Sequence, residues 1–313
     1  MNGDDIFRPY QTPQSPFAPG YEPLPPLIPA RPRRPRVWTV FVVFLLSQVL
    51  HLGAAVAIVA AVAYHRHPEL MHPRDETARQ QAAEAIENMW ISPEILLPTL
   101  LASQVLFSLV AIAAAVCSPA GLLDRLRLRS PRISLRAGAV AVCGVLAMNL
   151  MFVAMGGLGW IPESELLSKF AGSIQSLSGP MMVAAVLIVG VGPGIGEELL
   201  FRGYIETRFS QRWGMVWGCV WTALLFGAMH FDLVQGAFAA CMGLYLGYLT
   251  ERTGSIWPAM LCHAVNNTWA TLSVFLGMEL VTFRENLVAL VDGAFVLLVC
   301  VVLFLALTRK KWR

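Results

Sequence analysis

Eight apolar runs dominate the chain, at about residues 37–64, 95–117, 135–158, 180–205, 214–231, 233–250, 256–277 and 286–307. Each approaches the roughly 20 residues that cross a bilayer core at a rise of about 1.5 Å per residue. Lipid offers no hydrogen-bond partner to a bare backbone, so runs of this length must be helical. The predicted fold is therefore all-α, a polytopic transmembrane bundle of about eight helices. With 313 residues the length would allow two soluble domains, but 56% hydrophobic and only 14% charged residues favour a single membrane bundle. The first run contains Ala61-Val62-Ala63, which mimics a signal-peptidase site. That run is too long for a signal peptide and follows a polar tail, so it is expected to be a retained helix.

Residues 1–36 hold ten prolines and few aliphatics, which predicts a disordered, polyproline-like tail. The remaining chain divides into N-terminal helices and loops over 37–179, a polar-bearing core over 180–277, and a last helix with a basic tail over 278–313. With the N-terminus placed in the cytoplasm, sixteen of the 23 Lys and Arg residues fall in cytoplasmic segments, among them Arg125, Arg127, Arg129, Arg208 and Arg212. Only Arg66, Arg74, Arg79, Lys169 and Arg284 fall outside, so the positive-inside rule predicts that both termini are cytoplasmic. The small net charge of +3 gives no nucleic-acid footprint, and no nucleic-acid partner is expected. In the longest outer loop, Asp75 to Asn88 alternates alanines with charges and predicts a surface helix.

Charged or strongly polar residues inside apolar runs cost about 2.5 to 3.5 kcal/mol each on insertion scales, and so mark functional candidates. In the fourth run Glu198 and Arg202 are four apart and can pair on one helical face. Glu197 points about 100° away and is left to face a cavity as a base. In the fifth run Phe226 and His230 share a face, with the ring positioned to wall off one side of a site. In the seventh, His263 and Asn267 share a face from which both could donate to one acceptor, the arrangement that stabilises an oxyanion. Each group alone has a structural reading: an ion pair that fixes packing, a satisfied histidine, or interhelical glue.

Gly190, Gly192, Gly194 and Gly196 alternate around Pro193 just before the acidic pair. Their spacing fits no phosphate-loop motif, so close helix packing with a proline kink is expected. The six cysteines lie in or beside apolar runs without CxxC spacing and read as small buried hydrophobes. Cys262 adjoins His263, but adjacent helical side chains diverge, which argues against a thiol nucleophile.

The patterns EExxxR (Glu197, Glu198, Arg202), FxxxH (Phe226, His230) and HxxxN (His263, Asn267), in this order on successive apolar helices, resemble the signature of the CAAX-processing and bacteriocin-processing intramembrane endopeptidases, also called type II CAAX prenyl endopeptidases or the Abi family. The resemblance covers residues 180 to about 277. It implies that Glu197 and His230 activate a water, that His263 and Asn267 hold the oxyanion, and that Glu198, Arg202 and Phe226 support the site. It further implies an integral, multi-pass protein of a bacterial cell membrane, in contact with membrane lipid and acting on membrane-associated peptide or protein substrates, CAAX-type prenylated ones included. No cofactor is implied. A zinc site on Glu197, His230 and His263 is the alternative by ligand type, although HExxH is absent. A non-catalytic scaffold or bacteriocin-immunity protein, and a transporter, are the readings from other classes. Counted by helix rise, His230 falls deeper than Glu197, His263 and Asn267, which predicts a fifth helix that starts in the cytoplasm or is tilted.

Overall fold

A computed structural model describes residues 36–119, 121–131, 133–278 and 281–308. The proline-rich tail and the C-terminal basic cluster lie outside the described residues. Among the described residues there is no strand, and eleven helices account for the architecture. All eight segments read from the sequence are helical: α1 (Trp38–Arg66), α3 (Pro93–Val116), α5 (Leu135–Gly157), α7 (Pro180–Trp213), α8 (Met215–Ala228), α9 (Leu233–Thr253), α10 (Trp257–Phe275) and α11 (Phe283–Thr308). Three further helices lie between them: α2 (Glu76–Met89), the four-residue α4 (Leu122–Arg125) and α6 (Glu165–Gln175). The surface helix expected in the outer loop is α2, whose first turn is capped by the Asp75 carboxylate accepting from the Ala78 amide. The sequence reading missed α6, capped in the same way by Ser164.

Six of the eight expected crossings, α1, α3, α5, α7, α9 and α11, are long and apolar enough to span a membrane. The other two of the eight helices, α8 and α10, differ from these six. Helix α8 has only 14 residues, about 21 Å of rise against a core of about 30 Å. Helix α10 has length enough but is not among the six, and it carries His263, Asn266 and Asn267.

Helix α7 occupies the middle of the bundle: half of its most apolar stretch is buried by protein, against 22% in α1 and α11. Those two outer helices instead present residues such as Val49 and Phe295 outward, as a lipid-facing surface requires. Helix α5 packs on α11, α8 on α9, and α3 on α1, while α3 and α10 close on α7 from separate directions.

The glycine-rich stretch of α7 explains this close approach. A Cβ on Gly194 would sit 2.8 Å from the Met260 carbonyl oxygen of α10, and one on Gly196 would sit 2.6 Å from the Gln104 carbonyl oxygen of α3. Two neighbouring helices therefore touch α7 immediately before Glu197 and Glu198. The expected kink takes the form of two π-helical stretches, Val186–Val191 and Leu199–Glu206, on either side of Gly192–Glu198. Pro193 cannot donate a backbone hydrogen bond, and a widened turn is one way for a helix to absorb that loss.

Candidate active site

Helix α7 contributes the two adjacent carboxylates, and their surroundings differ. Glu198 is fully buried; its Oε1 accepts from Arg202 Nη1 at 2.6 Å and lies 2.8 Å from His263 Nδ1. The expected i, i+4 pair is therefore present, but it is one arm of a three-residue network that reaches α10. Arg202 also donates from Nη2 to the Gly243 carbonyl of α9 at 3.2 Å. A charge buried this deeply is tolerable only with such partners.

Glu197 remains outside that network. It is 7% exposed; its Oε1 accepts from Gln104 Nε2 at 3.1 Å, and its Oε2 lies 3.8 Å from His263 Nε2. Gln104 comes from α3, well outside the motifs, and the sequence reading did not identify it. A signal was available: it is the one carboxamide in the apolar run of α3, and a buried amide needs a partner.

Phe226 organises the remaining groups. Its fully buried ring carries the Arg202 guanidinium 4.4 Å from its centroid, and the rings of His230 and His263 stand edge-on at 5.3 and 5.7 Å. The role expected of Phe226 was a wall on one side of a site. The ring in fact links the arginine and both histidines, with a cation–π contact adding to the Arg202–Glu198 pair.

His230 lies just beyond α8, which ends at Ala228, and not on its helical face. It stays beneath Phe226 because its Nδ1 lies 2.8 Å from the Phe226 carbonyl oxygen and donates to it. That bond fixes the proton on Nδ1 and leaves the Nε2 lone pair for another partner. Phe231, next along, has φ of 54°, a left-handed turn that starts α9 at once. Asp232 caps α9 by accepting from the Gln235 amide at 2.7 Å, and its other oxygen accepts from the Ser164 hydroxyl, also at 2.7 Å. The caps of α6 and α9 are thus tied together two residues from His230. These hydrogen bonds hold the half-buried Asp232 carboxyl below the usual carboxylate range, the Gln235 amide contributing most. The short α8, following an α7 of 34 residues, accounts for the apparent depth of His230.

Asn267 is one turn beyond His263 on α10, as expected, and is half-buried. Its Oδ1 accepts from Asn266 Nδ2 at 3.1 Å, which leaves its own amide N–H groups free to donate elsewhere. The structure thus sets Arg202, His230 and His263 around the Phe226 ring, ties Glu198 to Arg202 and His263, and places Glu197 between Gln104 and His263. It does not join Asn267 to that network. Among the described residues no three His, Cys, Asp or Glu side chains are grouped to hold a metal ion, and both nitrogens of His263 face carboxylates. Glu197, His230 and His263 are not grouped as such a set. All six cysteines are free thiols.

A family model described as Type II CAAX prenyl endopeptidase Rce1-like matches residues 179–269. The stretch begins beside the first residue of α7 and ends two residues past Asn267. The chain is also 28% identical over 110 residues to the "Putative membrane peptidase YdiL" of Bacillus subtilis (strain 168). That alignment covers 35% of this chain and 43% of the relative, so the chain spans less than half of the length of the curated relative it matches. No solved structure matches. Six helices long and apolar enough to cross a membrane, together with these similarities, describe an integral membrane protein with a peptidase-type core.

Proposed function

We propose that this chain, which carries a type II CAAX prenyl endopeptidase Rce1-like domain over residues 179–269, is an intramembrane endopeptidase that cleaves membrane-associated protein or peptide substrates with a glutamate-activated water. The observation that carries the reading is the division of labour between neighbouring carboxylates: Glu198 is held by Arg202 and His263, and Glu197 is held lightly by Gln104. A carboxylate with one light hydrogen bond, open to a further partner, is what a general base requires.

In this reading Glu197, assisted by the Nε2 lone pair of His230, takes a proton from water as its oxygen attacks the scissile carbonyl. The carbonyl becomes a tetrahedral oxyanion, the C–N bond then breaks, and the proton passes to the departing amine. Asn267 donates to the oxyanion from its free amide N–H, and His263, anchored to Glu198 through Nδ1, is the second oxyanion partner. Arg202 and Phe226 keep Glu198 and the two imidazoles in register. Both termini are placed in the cytoplasm on the distribution of basic residues, the membrane being that of a bacterial cell, and the surrounding lipid is the chain's other partner.

The test is cleavage of a panel of prenylated and unprenylated peptides by the purified full chain, compared with Glu197→Ala and with protein treated with a strong chelator. Cleavage that survives chelation and disappears in the variant supports the glutamate mechanism, and the panel reports whether a prenyl group is required. Loss on chelation with recovery on adding zinc would replace it with a metallopeptidase. A cellular phenotype unchanged by Glu197→Ala would leave a non-catalytic scaffold.

A further inference from the structure

At the end of the bundle where α3 and α7 finish, two arginines lie close together, Arg125 reaching Gln211 one turn beyond Arg208 on α7, and among the described residues neither has a carboxylate partner. Arg125, the last residue of α4, and Arg208, near the end of α7, are 7% and 8% exposed. Among the described residues neither has a carboxylate within 4 Å, and the Nε atom of each is buried with no hydrogen-bond partner. Their contacts are neutral. Arg125 donates from Nη1 to Gln211 Oε1 at 3.2 Å; Arg208 lies over the Tyr204 ring at 4.5 Å and makes a long contact of 3.5 Å with the Ser118 hydroxyl. The neighbouring arginine Arg127 is committed elsewhere, to Glu251 at 2.7 Å and Glu206 at 3.7 Å, and Arg129 to Asp124. Burial, and after it the repulsion from Arg208, holds the Arg125 guanidinium below its usual value. Two like charges taken out of water side by side are costly unless an anion lies between them.

We infer that Arg125 and Arg208, with the Ser118 hydroxyl and the Gln211 amide at the rim, form a binding site for a phosphate group, presented by the headgroup of an anionic phospholipid. Guanidinium forks match phosphate oxygens two at a time, and basic pockets at the ends of membrane helices suit anionic headgroups. The apolar lip indicates the lipid source. Leu122 and Leu123, on the same short helix as Arg125, are 37% and 51% exposed, and Trp213 at the end of α7 is 41% exposed. These side chains would be costly beside a free aqueous ion but can lie against a glycerol backbone and acyl chains. Gln211 is exposed, so the rim is open to a headgroup. The site lies on other residues than the hydrolytic reading uses and stands independently of it.

The test titrates the purified full chain, in mild detergent, with phosphatidylglycerol, with phosphatidylcholine and with inorganic phosphate, and follows thermal unfolding and bound lipid by native mass spectrometry. Phosphatidylglycerol is expected to raise the wild-type Tm, and Arg125→Gln/Arg208→Gln is expected to need at least about tenfold more of it for the same shift, the loss of charge-assisted bonds to one anion. In nonionic detergent without added lipid or phosphate the single variant Arg125→Gln is expected to unfold at a higher temperature than wild type, because removing one of two repelling charges relieves strain that no anion offsets. This reversal between lipid-free and phosphatidylglycerol-loaded protein remains measurable if the double variant does not fold. An equal response of wild type and variants to phosphatidylglycerol overturns the site. An equal Tm rise from millimolar inorganic phosphate, lost in the variants, overturns the lipid source.

Discussion

Helix α7 carries buried carboxylates at two levels, Glu197 with Glu198 and, two turns on, Glu206. Glu198 and Glu206 are both fully buried beside arginines, while Glu197 keeps 7% of its surface exposed. Glu198 accepts charge-assisted hydrogen bonds within 2.8 Å from two other side chains, whereas Glu206 is fully buried with no hydrogen bond to either oxygen and has Arg127 at 3.7 Å. The second oxygen of Glu206 lies in the space that a Cβ on Gly247 would enter, at 2.5 Å. A buried charge by itself therefore does not mark a site. The upper level has a satisfied carboxylate that fixes a histidine beside one that is lightly held; the lower level is a loose ion pair that fastens Arg127 and the segment after α4 to the bundle, helped by the Ile256 amide donating to the Arg127 carbonyl at 3.0 Å.

The contrast can be broken most directly at the carboxylates. Glu197→Gln is expected to lower peptide cleavage by about 10²- to 10⁴-fold with Tm nearly unchanged, while Glu206→Gln keeps cleavage within a few-fold; steady-state kinetics on both variants would decide. Comparable losses in the two would erase the distinction. Arg202→Met should cost about 3–5 kcal/mol by stranding Glu198, read in denaturant or thermal unfolding, and adding Glu198→Gln should return most of that stability without returning activity.

Two further variants sharpen it. Gln104→Leu removes one hydrogen bond to a charged group, about 1.5–3 kcal/mol, and is expected to lower kcat by about 10- to 100-fold with little change in KM. Asp232→Ala should cost about 1 kcal/mol through the lost cap of α9. Because the folded Asp232 carboxyl titrates below its unfolded value, the stability it supplies is present above the unfolded value and is lost as pH falls through the folded one. The Tm difference between Asp232→Ala and wild type should therefore be full at neutral pH and close at acid pH below the usual carboxylate range.

Much of the candidate site was legible because helix geometry fixes neighbours within one element. Glu198 and Arg202 pair as their spacing requires, and the His230 ring packs on Phe226 even though α8 has ended before it. What periodicity could not supply was the end of a helix: α8 stops at Ala228, where a left-handed Phe231 and a cap shared with Ser164 take over. Nor could it tell that His263 of α10 meets Glu198 of α7.

Run length and spacing along the chain were enough to specify an all-helical membrane bundle and a set of candidate site residues, because apolar run length and i, i+4 spacing are local quantities. The tertiary structure decided which carboxylate is tied and which is left. Gln104 reaches Glu197 across 93 residues and His263 reaches Glu198 across 65. Both contacts exist because Gly194 and Gly196 let α10 and α3 close on α7 beside the acidic pair. Partner choice across helices depends on that close approach of backbones, which no spacing along a single chain encodes.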